Sequence, residues 1–219
     1  VSIATQDTAS HMDGIYRYQR YIYNATRKYY LLGRDRLLDE LRPEDGSTVL
    51  EVGCGTGRNL IHAARRYPHA RFVGFDISRA MLETARTSIA RAGLSDRIDV
   101  YQADATAFDL SDFSSEAYAG RVFISYTLSM IPPWRQVLPQ ALEAVGPGGR
   151  LHIVDFGQQE GWPRWFKAVL FAWLRQFSVH PRAELARELT KLTSETGATL
   201  DFRRLYRGYA DYAVITKPA

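Results

Sequence analysis

Three glycines, Gly53, Gly55 and Gly57, alternate with Cys54 and Thr56 directly after the apolar run Val49, Leu50, Val52 and just before a helical pattern that starts at Arg58. A strand, a glycine turn and a helix start make a cradle for a nucleotide. The glycines permit positive φ and let a ligand touch the backbone, and the free N–H groups of the helix start attract polar or anionic groups. The spacing argues against a dinucleotide, because G-x-G-x-x-G counted from Gly53 and Gly55 puts Arg58 where close helix packing calls for a third glycine.

Other side chains fall where such a cradle needs partners. Asp76 closes the next apolar run nineteen positions beyond Gly57, where a carboxylate accepts both hydroxyls of a ribose. Ile77 follows it, and Met81 stands at a position where it meets an adenine or fills the core. Asp104, in Gln102-Ala103-Asp104-Ala105, is placed to accept from an adenine amino group. Tyr126 ends the fourth strand-like run, at the strand edge where ligands gather in a parallel sheet, and Asp155 ends the fifth. Ahead of all of these, six tyrosines lie between positions 16 and 30, interleaved with Arg17, Arg20, Arg27 and Lys28. Their rings can surround a substrate cation, each π face attracting an ammonium by ~0.5–2 kcal/mol. The same segment also reads as an amphipathic helix packed on the core with its basic face in water.

The elements that must hold these residues alternate. Strands are expected near 49–52, 71–76, 97–102, 121–126 and 150–156. Helices are expected over 58–67, stopped by Pro68, and over 79–92, capped by Ser78. The helical pattern of residues 134–145 contains Pro139, so its regular part is expected to begin only near Leu138. Gly146-Pro147-Gly148-Gly149 reads as a firm stop. Residues 181–195 supply another helix, and residues 199–206 with 210–216 a hairpin around Arg207-Gly208. The expected fold is α/β, with a doubly wound, mostly parallel seven-stranded sheet and a C-terminal antiparallel hairpin.

Residues 163–177 are surplus to that pattern. Arg164, Lys167 and Arg175 share one narrow stripe of a helix on which Trp165, Phe166, Val169, Leu170, Phe171, Trp173, Leu174 and Phe177 make nearly everything else apolar. The helix either packs on the tyrosine-rich segment or a second subunit, or lies in a bilayer interface with its basic heads among phosphates.

Composition sets bounds. The chain has 219 residues, 46% hydrophobic and 24% charged, enough for one domain with a sizeable core. Its net charge of +4 is uneven: residues 11–36 carry six basic against two acidic side chains, and residues 160–182 four against one. These two segments can meet an anionic surface. The single cysteine, Cys54, excludes an intrachain disulfide and reads as a small residue of the turn. The five histidines lack metal-ligand spacing, so no metal site is expected, and His152 reads as a satisfied strand residue. No apolar run reaches membrane-spanning length, and a cytoplasmic, peripherally membrane-associated protein is expected. Residues 1–11 read as a tail or cloning remnant, 12–42 as a helical lid interrupted near Gly33, and 43–219 as the main domain, with the extra amphipathic helix 163–177.

The segment E-V-G-C-G-T-G, with Asp76, Q-A-D-A and the final hairpin, resembles the class I (Rossmann-like) S-adenosylmethionine-dependent methyltransferases from residue 48 onward. The resemblance implies S-adenosyl-L-methionine as cofactor and S-adenosyl-L-homocysteine as product, held by Gly53, Cys54, Gly55, Gly57, Asn59, Asp76, Ile77, Met81, Asp104 and Ala105. The segment Y-R-Y-Q-R-Y-I-Y-N-A-T-R-K-Y-Y-L-L-G-R-D-R, with S-Y-T-L-S-M-I-P after the fourth strand, resembles bacterial diacylglycerylhomoserine N-methyltransferases of betaine-lipid synthesis. That finer resemblance implies a lipid-headgroup amine as substrate. Related phosphatidylethanolamine N-methyltransferases, and methyltransferases acting on quinones or soluble amines, share the cofactor motifs. Tyr23, Tyr30 and Tyr126 are expected to line the methyl-transfer site, and Arg34 to meet a carboxylate of cofactor or headgroup. No N-P-P-Y-like motif follows the fourth strand, so nucleic acid is not the expected substrate; the sequence leaves the oligomeric state open.

Overall fold

The computed structural model describes residues 31–219. The expected tyrosine lid, with Tyr23 and Tyr30, therefore lies outside the described residues apart from its last part. That part is helix α1 (Arg34–Glu40), entered through Gly33 at φ +88°.

Seven strands form one sheet in the order β3-β2-β1-β4-β5-β7-β6. They are β1 (Thr48–Val52), β2 (Arg71–Asp76), β3 (Ile98–Gln102), β4 (Ala119–Ser125), β5 (Val145–Phe156), β6 (Thr199–Leu205) and β7 (Ala210–Thr216). The first five are mutually parallel, whereas β7 runs antiparallel to both β5 and β6. Helices α2 (Arg58–Arg66), α3 (Arg79–Arg91), α4 (Trp134–Glu143), α5 (Arg164–Arg175) and α6 (Leu185–Thr196) complete the expected doubly wound α/β fold.

Strand periodicity divides the core. β1 is buried throughout, so its successive side chains serve two apolar layers. Val49 joins Leu37, Leu60, Phe72 and Leu82 beneath α1, α2 and α3. Leu50 and Val52 join Phe75, Trp134, Leu138, Leu185 and Leu189 beneath α4 and α6. Glu51 shares the face of Val49 and is equally buried, which directs its carboxylate toward α2, where Asn59 Nδ2 donates to Oε1 at 2.7 Å.

Two expectations about breakers are corrected. α4 is continuous from Trp134 with Pro139 inside it. Proline removes a single donor there, while Trp134, Val137, Leu138, Ala141 and Leu142 keep one apolar face buried along the whole helix. Gly146-Pro147-Gly148-Gly149 is no stop, since β5 begins at Val145, opposite Ala119, and absorbs the extra residues as a register shift against β4. The C-terminal segment supports this stretch, Gly148 N donating to Pro218 O and Lys217 N to Gly149 O, each at 3.0 Å. His152 is less satisfied than expected. Its Nδ1 lies 3.3 Å from the Tyr212 hydroxyl, but Nε2 has no partner among the described residues, and burial lowers its pKa to about 3.

Among the described residues, helix α5 lies on the core through one edge. Leu174 is fully buried, and Phe166, Leu170, Phe171, Trp173 and Phe177 pack partly against the layer beneath. Trp165 and Val169 remain 69% and 63% exposed. No helix among the described residues is long and apolar enough to cross a membrane.

Candidate functional site

Parallel strands leave their carboxyl ends on one edge, and the glycine turn emerges there from β1. Gly53, Gly55 and Gly57 all have positive φ, at +72°, +53° and +72°. The turn is pinned from β2: Cys54 N donates to Phe75 O at 2.8 Å, and Gly55 N to Asp76 Oδ2 at 2.9 Å. Asp76 Oδ1 also accepts from Ser78 N at 2.9 Å, so one carboxylate sets both the turn and the start of α3. A Cβ on Gly53 would run into the side chain of Thr127. Thr127 Oγ1 in turn donates to Gly53 O at 3.3 Å, joining the loops after β1 and β4.

Between these loops lies a cavity of about 120 Å³. Gly53, Gly55, Asp76, Ile77, Met81, Asp104, Ala105 and Tyr126 line it, all of them expected from sequence. Asp104 Oδ1 accepts from Thr106 N at 2.9 Å and from Thr106 Oγ1 at 2.7 Å, which folds the post-β3 turn over the cavity. A second cavity of about 370 Å³ shares Gly53 and holds Arg34, Cys54 and Asn59, together with Glu51, Arg58, His62 and Ser125. Gly57 lines neither cavity; it starts α2 in the left-handed conformation, where an added Cβ would lie a tight 3.2 Å from Ala85 Cβ.

The titratable groups are strongly conditioned. Burial, then the negative charges of Asp76 and Glu51, push the Cys54 thiol up, so it stays a neutral, small turn residue as expected. Burial first, then Arg58 and Arg34, hold His62 below its ordinary value. Arg34 is buried and donates to Asp35 Oδ1 from Nε at 3.2 Å and Nη2 at 3.0 Å. Tyr126 stands just past β4 at φ +57°, its ring edge-on to Phe156 at 4.7 Å. Its hydroxyl donates to Leu32 O, and burial drives its pKa well above 10.

Asp155 is corrected: it is fully buried and lines neither cavity. Its Oδ2 accepts from Ser129 N at 3.0 Å, so it braces the loop after β4 instead of meeting a ligand. Sequence reasoning did not assign Glu51, Thr106, Ser125, Thr127 or the wall residues Met130, Ile131 and Pro132. For most of these the signal was present in the quoted motifs, in the acid opening E-V-G-C-G-T-G and in S-Y-T-L-S-M-I-P. Tyr23 and Tyr30 lie outside the described residues. Among the described residues no cluster of His, Cys, Asp and Glu could hold a metal ion.

Residues 49–149 match the family model of a methyltransferase domain. The ubiquinone/menaquinone biosynthesis C-methyltransferase UbiE of Cereibacter sphaeroides is 29% identical over 127 residues, covering 58% of this chain and 49% of that protein. The chain thus spans about half the length of this curated relative. The apo structure of the S-adenosylmethionine-dependent methyltransferase SibL superposes with a TM-score of 0.66 at 23% identity, over 90% of this chain and 58% of that one. A geranyl diphosphate methyltransferase in complex with SAM gives 0.63 at 16% identity, over 86% and 85%. The fold is the one seen in these S-adenosylmethionine-dependent methyltransferases, and residues 49–149 are similar to a methyltransferase domain. The donor set of the two cavities fits S-adenosylmethionine, the group bound in the geranyl diphosphate methyltransferase complex. The glycine cradle admits no Cβ at Gly53, Asp76 and Asp104 face the first cavity, and the buried Ser125 Oγ beside the second has no partner among the described residues.

Proposed function

We propose that this chain catalyses S-adenosylmethionine-dependent N-methylation of an amine on a lipid headgroup, diacylglycerylhomoserine being the acceptor that its N-terminal tyrosine pattern best fits. When bound, the cofactor supplies an electrophilic sulfonium methyl. Asp76 and Asp104 hold the adenosine half in the first cavity, while Arg34 and Ser125 offer a cation and a hydroxyl to the amino-acid half in the second. The observation that carries the choice of an amine is the state of the first cavity's polar side chains. Asp76 and Asp104 already accept from backbone N–H groups, and the Tyr126 hydroxyl is committed to Leu32 O with its pKa raised. With the Tyr126 hydroxyl so engaged, the reading calls for no general base at that position, which suits a nucleophile that arrives as a free amine. Positioning and exclusion of water then do most of the work. Tyr126 contributes by fixing Leu32, just ahead of the Gly33 turn through which the tyrosine-rich segment joins the domain.

The lipid part of the reading rests on α5. Trp165 and Val169 stand exposed beside Arg164, Lys167 and Arg175, none of which has an ion-pair partner among the described residues. Aromatic and aliphatic side chains next to unpaired cations suit an anionic bilayer surface, so the protein works there as a peripheral enzyme. A second reading, methylation of a quinone-like ring, draws on the relative named as a ubiquinone/menaquinone C-methyltransferase. The test is label transfer from methyl-labelled S-adenosylmethionine to vesicles carrying diacylglycerylhomoserine, phosphatidylethanolamine or a quinol. Label in the homoserine lipid is expected. Label only in the quinol would replace the first reading with the second.

A further inference from the structure

We propose that Arg182 is a positioning residue that sets one wall of the adenosine cavity without touching the ligand. The proposal rests on the reading of that cavity as the cofactor site. The wall is the loop after β4, whose Met130, Ile131 and Pro132 line the cavity. Its core is a single 3-10 turn, Leu128–Met130, closed by Ile131 N donating to Leu128 O at 3.3 Å, and so short a turn leaves acceptor capacity on its carbonyl groups. Arg182, in the connection from α5 to α6, supplies further donors. Its Nε donates to Leu128 O at 2.9 Å, and its Nη2 donates to Ile131 O at 2.8 Å and, at the longer distance of 3.4 Å, to Ser129 O. One planar fork thus holds three carbonyls of the loop, a geometry that an ammonium cannot reproduce.

The clamp is itself held. The guanidinium lies 5.8 Å from the Trp134 ring centroid, and His180 N, two residues earlier, donates to Ser129 O at 2.8 Å. From the opposite side Asp155 accepts from Ser129 N. Phe177, just past the end of α5, packs with Met130 against Met81. Residues 177–182 therefore strap the loop to α5, and Arg182 is the polar fastening of that strap. Arg182 itself lines neither cavity, so its influence on a ligand must pass through the loop.

The test compares wild type with R182A and R182K. Binding of 5′-methylthioadenosine and of S-adenosylhomocysteine is measured by calorimetry, and amide exchange across residues 128–132 is measured without ligand. R182A is expected to weaken both ligands by the same factor, roughly tenfold or more, because the adenosine half alone senses the wall. Exchange should accelerate at the turn, R182K should fall between wild type and R182A, and millimolar guanidinium should restore part of the affinity to R182A. Wild-type affinity in R182A, or a loss that guanidinium leaves untouched, overturns the proposal. If R182A does not fold, R182K decides: unchanged affinity and exchange overturn it. A wild type that binds neither ligand overturns the cofactor reading, and this role with it.

Discussion

Replacing Asp211 by asparagine should make the protein more stable at pH 8 and leave it unchanged near pH 4. Asp211 lies on β7 opposite Asp155 of β5. It is 6% exposed, and its Oδ1 has no partner among the described residues. Burial first, then Glu160 and Asp155 against the opposing Arg204, raise its carboxyl from 3.8 to about 7. A group whose folded pKa is raised keeps its proton in the fold after the unfolded chain has lost it. Its contribution is complete below pH 3.8 and is lost progressively as pH rises to about 7. Each unit of that window is worth ~1.4 kcal/mol, so the wild type gives up as much as ~4 kcal/mol across it. Asparagine has nearly the same shape and no charge, and it removes this dependence. A gain of ~2–4 kcal/mol at pH 8 corresponds to a Tm higher by roughly 5–10 °C for a chain of this size. Thermal unfolding followed by circular dichroism from pH 4 to pH 9 reads it. A difference between the two proteins that is the same at every pH, or a variant less stable at pH 8, would refute the reasoning.

Three further outcomes follow from the site. Y126F removes the bond to Leu32 O, costing ~1 kcal/mol of stability, and lowers turnover more than cofactor affinity; unchanged turnover would take Tyr126 out of the site. G53A forces a side chain to φ +72° and into Thr127, so S-adenosylhomocysteine binding should fall at least about tenfold in calorimetry, and undiminished affinity would sink the cradle. Replacing Arg164, Lys167 and Arg175 together by glutamine removes ~1 kcal/mol of attraction per charge, and roughly a hundredfold loss of sedimentation with anionic vesicles is expected. Binding to neutral vesicles should barely change, and an equal loss on both would remove the electrostatic part of the interface.

The parts of the fold that were legible in the sequence are those written in local pattern. Gly53, Gly55, Gly57 and Asp76 mark a turn and a strand end within a short stretch, and the hairpin of β6 and β7 is marked by Arg207-Gly208. Pro139 misled because a local rule met a helix whose burial outweighs one lost donor. Gly146 to Gly149 misled because β4 and the C-terminal segment pair with residues that are turn-formers by themselves. Asp155 looked like a site acid because strand ends usually face ligands, yet its carboxylate is consumed by Ser129 N from a loop that was not expected to return over it. Arg182 was invisible for the same reason: its partners lie some fifty positions earlier, and three carbonyls leave no trace in side-chain pattern.

The central claim is that the methyl group arrives on the nitrogen of a lipid headgroup. It is tested most directly by incubating the protein with carbon-labelled S-adenosylmethionine and vesicles of diacylglycerylhomoserine and quinol together, then locating the new methyl by NMR of the extracted lipids. The account predicts signal from methyl groups on nitrogen in the homoserine lipid. Signal from a ring-carbon methyl in the quinol, with none on nitrogen, would contradict it.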